Sequence, residues 1–260
     1  MKRRDFLRRA AIGVAGITLP LAAFEIVNPR KLFAGKDDGA KVRWVFLVDT
    51  YKCVGCGFCV KACKIENEIP YDANVTRTWV ERYVIKKDGK VLADTPKGGR
   101  DGFITSKIAL GEGKFADVKN EDIDKAYFVP KLCNQCDNPP CVQVCPVGAT
   151  YQTPDGIVLV DRTWCIGCGY CIMGCPYGVR FFHPVYHTAE KCNFCYHRIT
   201  KGLKTACVQA CPFGARQIGN LKDPNDPVTK VIMTERVGIL KEEYGTKPQV
   251  FYIGLDREVK

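Results

Sequence analysis

Cys165-Ile166-Gly167-Cys168-Gly169-Tyr170-Cys171-Ile172-Met173-Gly174-Cys175-Pro176 is the stretch on which the reading of this chain turns. Three cysteines two residues apart wrap the backbone around one compact centre and present thiolates to several irons at once. Gly167 and Gly169 permit the positive-φ turns that such a wrap needs, and they leave amides facing sulfur. A closed zinc site would ask instead for paired Cys-x2-Cys knuckles about 12–20 residues apart. Thiols this close together cannot cross-link without strain. The spacing therefore reads as a ligand loop for a cubane iron–sulfur cluster.

The pattern recurs outward from this loop. The chain holds 16 cysteines, and they fall into four quartets. Quartet one is Cys53, Cys56, Cys59 and Cys63, with the same spacing but Lys64 where quartet three has proline. Quartet two, Cys133, Cys136, Cys141 and Cys145, widens one gap; quartet four, Cys192, Cys195, Cys207 and Cys211, widens it much further. Four complete quartets predict four [4Fe–4S] clusters with all sixteen cysteines as iron ligands. Short helices are expected over 60–65, 142–145 and 172–175, and strands over 42–49, 156–161 and 250–255. The last cysteine of each quartet is expected on a helix that points away from its own loop, toward the cluster of a partner motif.

The formal charge of +11 invites a nucleic-acid reading. However, residues 1–34 carry seven basic side chains against Asp5 and Glu25, a surplus of +5. Each oxidised cluster with four thiolates adds about −2, so the holoprotein beyond residue 34 is close to neutral. No basic stripe with interleaved aromatics remains, and nucleic acid is not an expected partner.

Residues 1–34 read as a twin-arginine signal peptide, with Arg3 and Arg4 ahead of an apolar stretch from Ala10 to Phe24. That stretch is shorter than the roughly 20 residues of a membrane span. Its cleavage site is a poor small-x-small match, so retention as a surface anchor is left open. Export already folded suits a protein whose clusters must be inserted in a reducing compartment.

Between quartets one and two lies a long insertion, bounded at 82–127. Its Lys86–Lys90 and Lys97–Gly102 segments are turn-like, and it reads as a solvated hairpin excursion. His183, His187 and His197 have no carboxylate-rich company and are expected in ordinary polar roles. No Cys-x-x-Cys-His occurs in the sequence, which excludes covalent c-type haem. No nucleophile–base constellation is present, so no catalytic residue is expected; the chain carries electrons but transforms no substrate.

Four motifs in this order, with Cys133-Asn134-Gln135-Cys136-Asp137-Asn138-Pro139-Pro140-Cys141 and Cys192-Asn193-Phe194-Cys195-Tyr196-His197-Arg198, resemble the iron–sulfur subunits of dimethyl-sulfoxide-reductase superfamily complexes. The tail Pro248 to Asp256 looks most like that of the tetrathionate and polysulfide reductase branch. The resemblance implies an α+β fold of two interleaved bacterial-ferredoxin-like halves with pseudo-two-fold symmetry. One half would be 42–81 with 177–260, holding quartets one and four; the other would be 128–176, holding quartets two and three. It implies four ligand sets, each named below for the cysteine it borrows. The Cys211 set takes Cys53, Cys56 and Cys59; the Cys63 set takes Cys192, Cys195 and Cys207. The Cys175 set takes Cys133, Cys136 and Cys141; the Cys145 set takes Cys165, Cys168 and Cys171. It further implies a relay between a molybdopterin-type catalytic subunit and an integral membrane quinone-binding subunit, in some members with a multihaem cytochrome c. The expected location is periplasmic and membrane-associated. The alternative is a free-standing periplasmic polyferredoxin shuttle.

Overall fold

The computed structural model describes residues 40–103, 115 and 118–259. The expected signal segment at 1–34 lies outside the described residues. Trp44-Val45-Phe46-Leu47-Val48-Asp49 forms β1 (Trp44–Asp49), and its near-continuous apolar run is that of a strand covered on both faces. It pairs parallel with β11 (Val250–Ile253), Phe46 opposite Val250, and antiparallel with β9 (Arg216–Asn220), Phe46 opposite Ile218. With β10 (Val237–Gly238) the sheet order is β10-β11-β1-β9.

Alternation divides the two faces of β1. Val45 and Leu47 pack with Val228 of helix α6 (Pro227–Thr234). That helix begins cleanly: Pro227 sits in its first turn, and the Asp226 carboxylate accepts from the amides of Val228 and Thr229. Phe46 and Val48 enter the main core with Val60, Phe194 and Tyr252. The Phe46 and Phe194 rings meet at 5.3 Å.

The described part of the insertion builds a sheet. β2 (Thr78–Lys86), β3 (Val91–Asp94) and β4 (Ile123–Leu132) form a sheet ordered β3-β2-β4, with a turn at Lys86–Lys90 as expected. Strands β2 and β4 run through the expected borders at 81/82 and 127/128, where Glu81 faces Val129 and Arg82 faces Phe128. A continuous ladder leaves no joint at either border. Two small hairpins complete the strands, β5 (Thr150–Gln152) with β6 (Val158–Val160) and β7 (Phe181–Phe182) with β8 (Ala189–Glu190). Glu190 is buried between Arg77 and Arg162, each at 2.9 Å, which ties β8 to the start of β2.

Among the described residues the other α-helices are α1 (Phe58–Glu66), α2 (Pro140–Gln143), α3 (Tyr170–Met173), α4 (Tyr196–Ile199) and α5 (Ala206–Gln209). They correct one expectation. Of the four last cysteines only Cys63 lies on a helix; Cys145, Cys175 and Cys211 fall just beyond α2, α3 and α5. Each of these three precedes a proline, whose ring disfavours helical backbone in the residue before it. Lys64 has no such ring, so α1 runs through Cys63 to Glu66. The Lys64 ammonium then turns inward and donates to the carbonyls of Pro70, Tyr71 and Ala73, at 3.1, 3.1 and 2.6 Å.

Candidate cluster-binding sites

Each quartet opens with a Cys-x-x-Cys turn, and the residue before its second cysteine is left-handed in all four. Gly55 and Gly167 have φ of +68° and +71°, while Gln135 and Phe194 have +45° and +52°. Left-handed backbone costs a side-chain-bearing residue about 1–2 kcal/mol, so something must hold the latter two. For Gln135 it is a pair of buried hydrogen bonds: its side-chain amide donates to Cys192 O at 2.7 Å and accepts from the Val158 amide at 2.7 Å. Phe194 is held by packing in the core against Phe46.

The thiols gather across quartets. Cys53, Cys56, Cys59 and Cys211 line one small cavity, and Cys133, Cys136, Cys141 and Cys175 line another. Cys63 has Cys192, Cys207 and Cys195 as its electrostatic neighbours. The last four cysteines lie around α2 and α3, where Val144 packs on Gly174; Cys168 is exposed and Cys171 buried. Among the described residues no three His, Cys, Asp or Glu side chains converge on a point that could hold a single metal ion. The thiols surround volumes instead.

Polar hydrogens are aimed at the sulfurs. The amides of Phe194, Thr150 and Ala189 donate to Cys192, Cys145 and Cys165 Sγ, each at 3.4 Å. The Asn67 side-chain amide lies 3.5 Å from Cys63 Sγ and 4.0 Å from Cys195 Sγ. Burial pushes the Cys59 thiol up to about 11 and the Cys136 thiol up to about 12, and it raises Cys63 and Cys192 as well. Thiols so raised carry no charge at neutral pH unless a metal takes the proton's place.

Two buried arginines require that charge. Arg216 is fully buried, and none of its three guanidinium nitrogens has a hydrogen-bond partner; Arg180 leaves two of its three without one. Burial alone would lower the pKa of each, but Cys59, Cys207 and Cys53, once ionised by metal, raise Arg216 above the ordinary arginine range. Cys141, Cys171 and Cys133 do the same for Arg180. An uncompensated buried guanidinium costs several kcal/mol, and clusters with thiolate ligands supply the missing negative charge. The donor set, the N–H···S bonds and the orphaned guanidiniums all fit [4Fe–4S] clusters, which when bound supply one-electron redox chemistry.

The insertion contributes to the first site. Residues 99–103 lie on the Cys53–Cys59 loop, where Phe103 N donates to Gly55 O at 2.9 Å. A Cβ on Gly57 would sit 2.5 Å from the carbonyl oxygens of Gly99 and Arg100, and one on Gly102 would sit 2.8 Å from Cys56 O. The histidines keep polar roles, with one correction: His197 does have a carboxylate neighbour, Glu66 at 2.7 Å. His183 is buried, and its Nδ1 accepts from the amides of Val185 and Tyr186. Sequence reasoning missed Asn67, Gln135, Arg180 and Arg216; only the arginines had a readable signal, a Cys-Pro-x-Gly-x-Arg run in quartets three and four.

Comparison with known proteins agrees with this chemistry. The 4Fe-4S dicluster domain family matches residues 52–149 and again residues 124–221. A tetrathionate reductase subunit from Salmonella typhimurium is 38% identical over 258 residues, covering 98% of this chain and 88% of that protein. Its namesake from Archaeoglobus fulgidus is 41% identical, covering 82% of this chain and 83% of that one. The arsenate respiratory reductase iron-sulfur subunit ArrB of a Shewanella species is 34% identical, covering 82% and 96%. The two dicluster matches and 16 cysteines correspond to four [4Fe–4S] clusters in an α+β fold. The chain belongs to the family of iron–sulfur subunits of dimethyl-sulfoxide-reductase superfamily complexes, and its part is electron transfer rather than catalysis.

Proposed function

We propose that this chain relays electrons between a molybdopterin-type catalytic subunit and an integral membrane quinone-binding subunit, through clusters ordered Cys211 site, Cys63 site, Cys175 site, Cys145 site. The observation that carries the reading is the chain of close neighbours linking the four sets. Cys59 of the first set neighbours Cys207 of the second. Cys192 of the second neighbours Cys133 of the third. Arg180 faces Cys141 of the third and Cys171 of the fourth. All of the Cys63 set is buried, whereas Cys168 of the last set is exposed and Cys53, Cys56 and Cys211 of the first are partly so. A wire needs accessible ends and an insulated middle.

Both ends carry apolar rims suited to lasting partners. Trp164, Ile166, Tyr170 and Met173 are exposed around the Cys165–Cys171 loop, and Tyr51, Phe58 and Phe213 around the Cys211 site. Such patches mark interaction surfaces, and they favour a bound subunit over a freely diffusing shuttle. The same reading holds the two halves to be interleaved with pseudo-two-fold symmetry, and the protein to reach the periplasm by the twin-arginine route signalled by Arg3 and Arg4. There it is membrane-associated through its complex. The relatives named for tetrathionate and arsenate reduction support a catalytic partner of that class.

The ligand sets can be tested by redox titration with low-temperature EPR. Cys175→Ser replaces a soft thiolate with a harder ligand and should perturb the centre that Cys133→Ser perturbs, leaving the Cys165→Ser centre alone. If Cys175→Ser and Cys165→Ser disturb one centre and Cys133→Ser another, each quartet binds its own cluster and the interleaved reading is wrong.

A further inference from the structure

After its last cysteine, quartet three continues Pro176-Tyr177-Gly178-Val179-Arg180, and quartet four continues Pro212-Phe213-Gly214-Ala215-Arg216. Gly178 and Gly214 have φ of +63° and +64°, with open space where a Cβ would be, so the two turns share one geometry. Each turn sends its fifth residue back into the interior. Arg216 begins β9, opposite Val48 of the central strand, and is 2% exposed; Arg180 is 5% exposed. Quartet two has Thr150 at the matching position, and its hydroxyl accepts from Arg180 at 3.3 Å.

Neither arginine belongs to one site alone. Arg216 lines the cavity walled by Cys53, Cys56, Cys59 and Cys211, and it also feels the charge of Cys207 of the Cys63 set. Arg180 lines the cavity walled by Cys133, Cys136, Cys141 and Cys175, and it also feels the charge of Cys171 of the Cys145 set. We propose that Arg180 and Arg216 are paired electrostatic positioning residues, each lodged between two neighbouring clusters and holding both at raised reduction potentials. The proposal rests on the ligand reading above. A guanidinium stays charged at any working pH, and its fixed positive charge favours the extra electron on whichever cluster receives it. Little solvent reaches the buried guanidiniums, so screening is weak. Because one charge acts on both neighbours, the two potentials rise together and the gap between them is little changed. Lateral ion pairing is absent from both groups: among the described residues neither forms a salt bridge with a carboxylate, which leaves the charge to the clusters.

The test is an EPR-monitored redox titration of the full-length holoprotein in its complex, with iron counted, for Arg→Gln and Arg→Lys variants at both positions. Arg216→Gln should disfavour reduction of two centres by about tenfold, 59 mV for a one-electron couple, and leave the other two unchanged. Arg180→Gln should shift the complementary pair, and both Lys variants should keep native potentials. A full-iron Gln variant with no shift, a shift in one centre only, or a shift in all four overturns the proposal. If a Gln variant loses iron, its Lys counterpart decides. Full iron with native potentials upholds a charge role, and iron loss there assigns the arginine to packing and overturns it. Wild-type protein with far fewer than about sixteen irons would instead overturn the ligand reading itself.

Discussion

Asn67 donates its side-chain amide toward Cys63 Sγ at 3.5 Å while its own carbonyl accepts from Arg77 at 2.6 Å. The same amide bonds the Cys63 carbonyl at 2.9 Å and lies 4.0 Å from Cys195 Sγ, so one residue touches two thiols of the Cys63 set. Hydrogen bonds to ligand sulfur stabilise the reduced, more negative cluster. A bond to a charged group contributes about 1.5–3 kcal/mol, and this long one belongs at the lower end. Asn67→Leu should therefore lower the potential of one centre by about 59 mV, a tenfold change in its reduction equilibrium. Redox titration should find the other three unmoved.

Gly57 occupies a place that no side chain can share. Its φ is +78°, and a Cβ would lie 2.5 Å from two backbone oxygens of the insertion. Gly89 has a similar φ of +81° with nothing nearby. Gly89→Ala should cost only the conformational term, about 1–2 kcal/mol. Gly57→Ala should cost clearly more and lose iron from one site, seen as a lower thermal midpoint together with about four fewer irons per chain.

Lys64 is a buried cation held by three carbonyls. Burial lowers its pKa, yet the three acceptors keep the ammonium form useful. Lys64→Met should leave those carbonyls unpaired and destabilise the protein by roughly 2–4 kcal/mol. Denaturant unfolding of the two proteins measures this, and an unchanged midpoint would dismiss the carbonyl cage.

Cluster assembly should be base-promoted. The Cys59 and Cys136 thiols are raised to about 11 and about 12 by burial, so at neutral pH both are protonated in the absence of iron. Below those values the thiolate fraction grows tenfold per pH unit, and each iron bound must release a proton. Reconstitution of stripped protein with iron and sulfide should accelerate between about pH 7 and pH 9, followed by the visible charge-transfer absorption. A pH-independent rate would contradict the burial argument.

Cysteine spacing makes the cofactor type readable because a cubane imposes it locally, within a dozen residues. The left-handed turns were half readable: Gly55 and Gly167 announce them, whereas Gln135 and Phe194 adopt the same φ only because distant partners hold them. The helix ends were misjudged because the proline after Cys145, Cys175 and Cys211 acts on the residue before it. Lys64 looked like a lapse in the motif, since its three acceptors belong to a loop with no recognisable sequence. The insertion read as solvated because its turn residues are polar. Its residues 99–103 meet the Cys53–Cys59 loop through backbone, for which side chains leave no trace.

The parallel pairing of β1 with β11 sets a schedule for biosynthesis. Phe46 leaves the ribosome about 200 residues ahead of its neighbour Val250. Until then the central strand lacks one of its two flanking strands, and loops closed across such separations form slowly. On the ligand sets proposed above, Cys53, Cys56 and Cys59 likewise wait for Cys211. The nascent chain must therefore keep its earliest thiols reduced and unfilled, or in the care of a scaffold, until Cys211 has been made. Iron delivered sooner would find only three ligands.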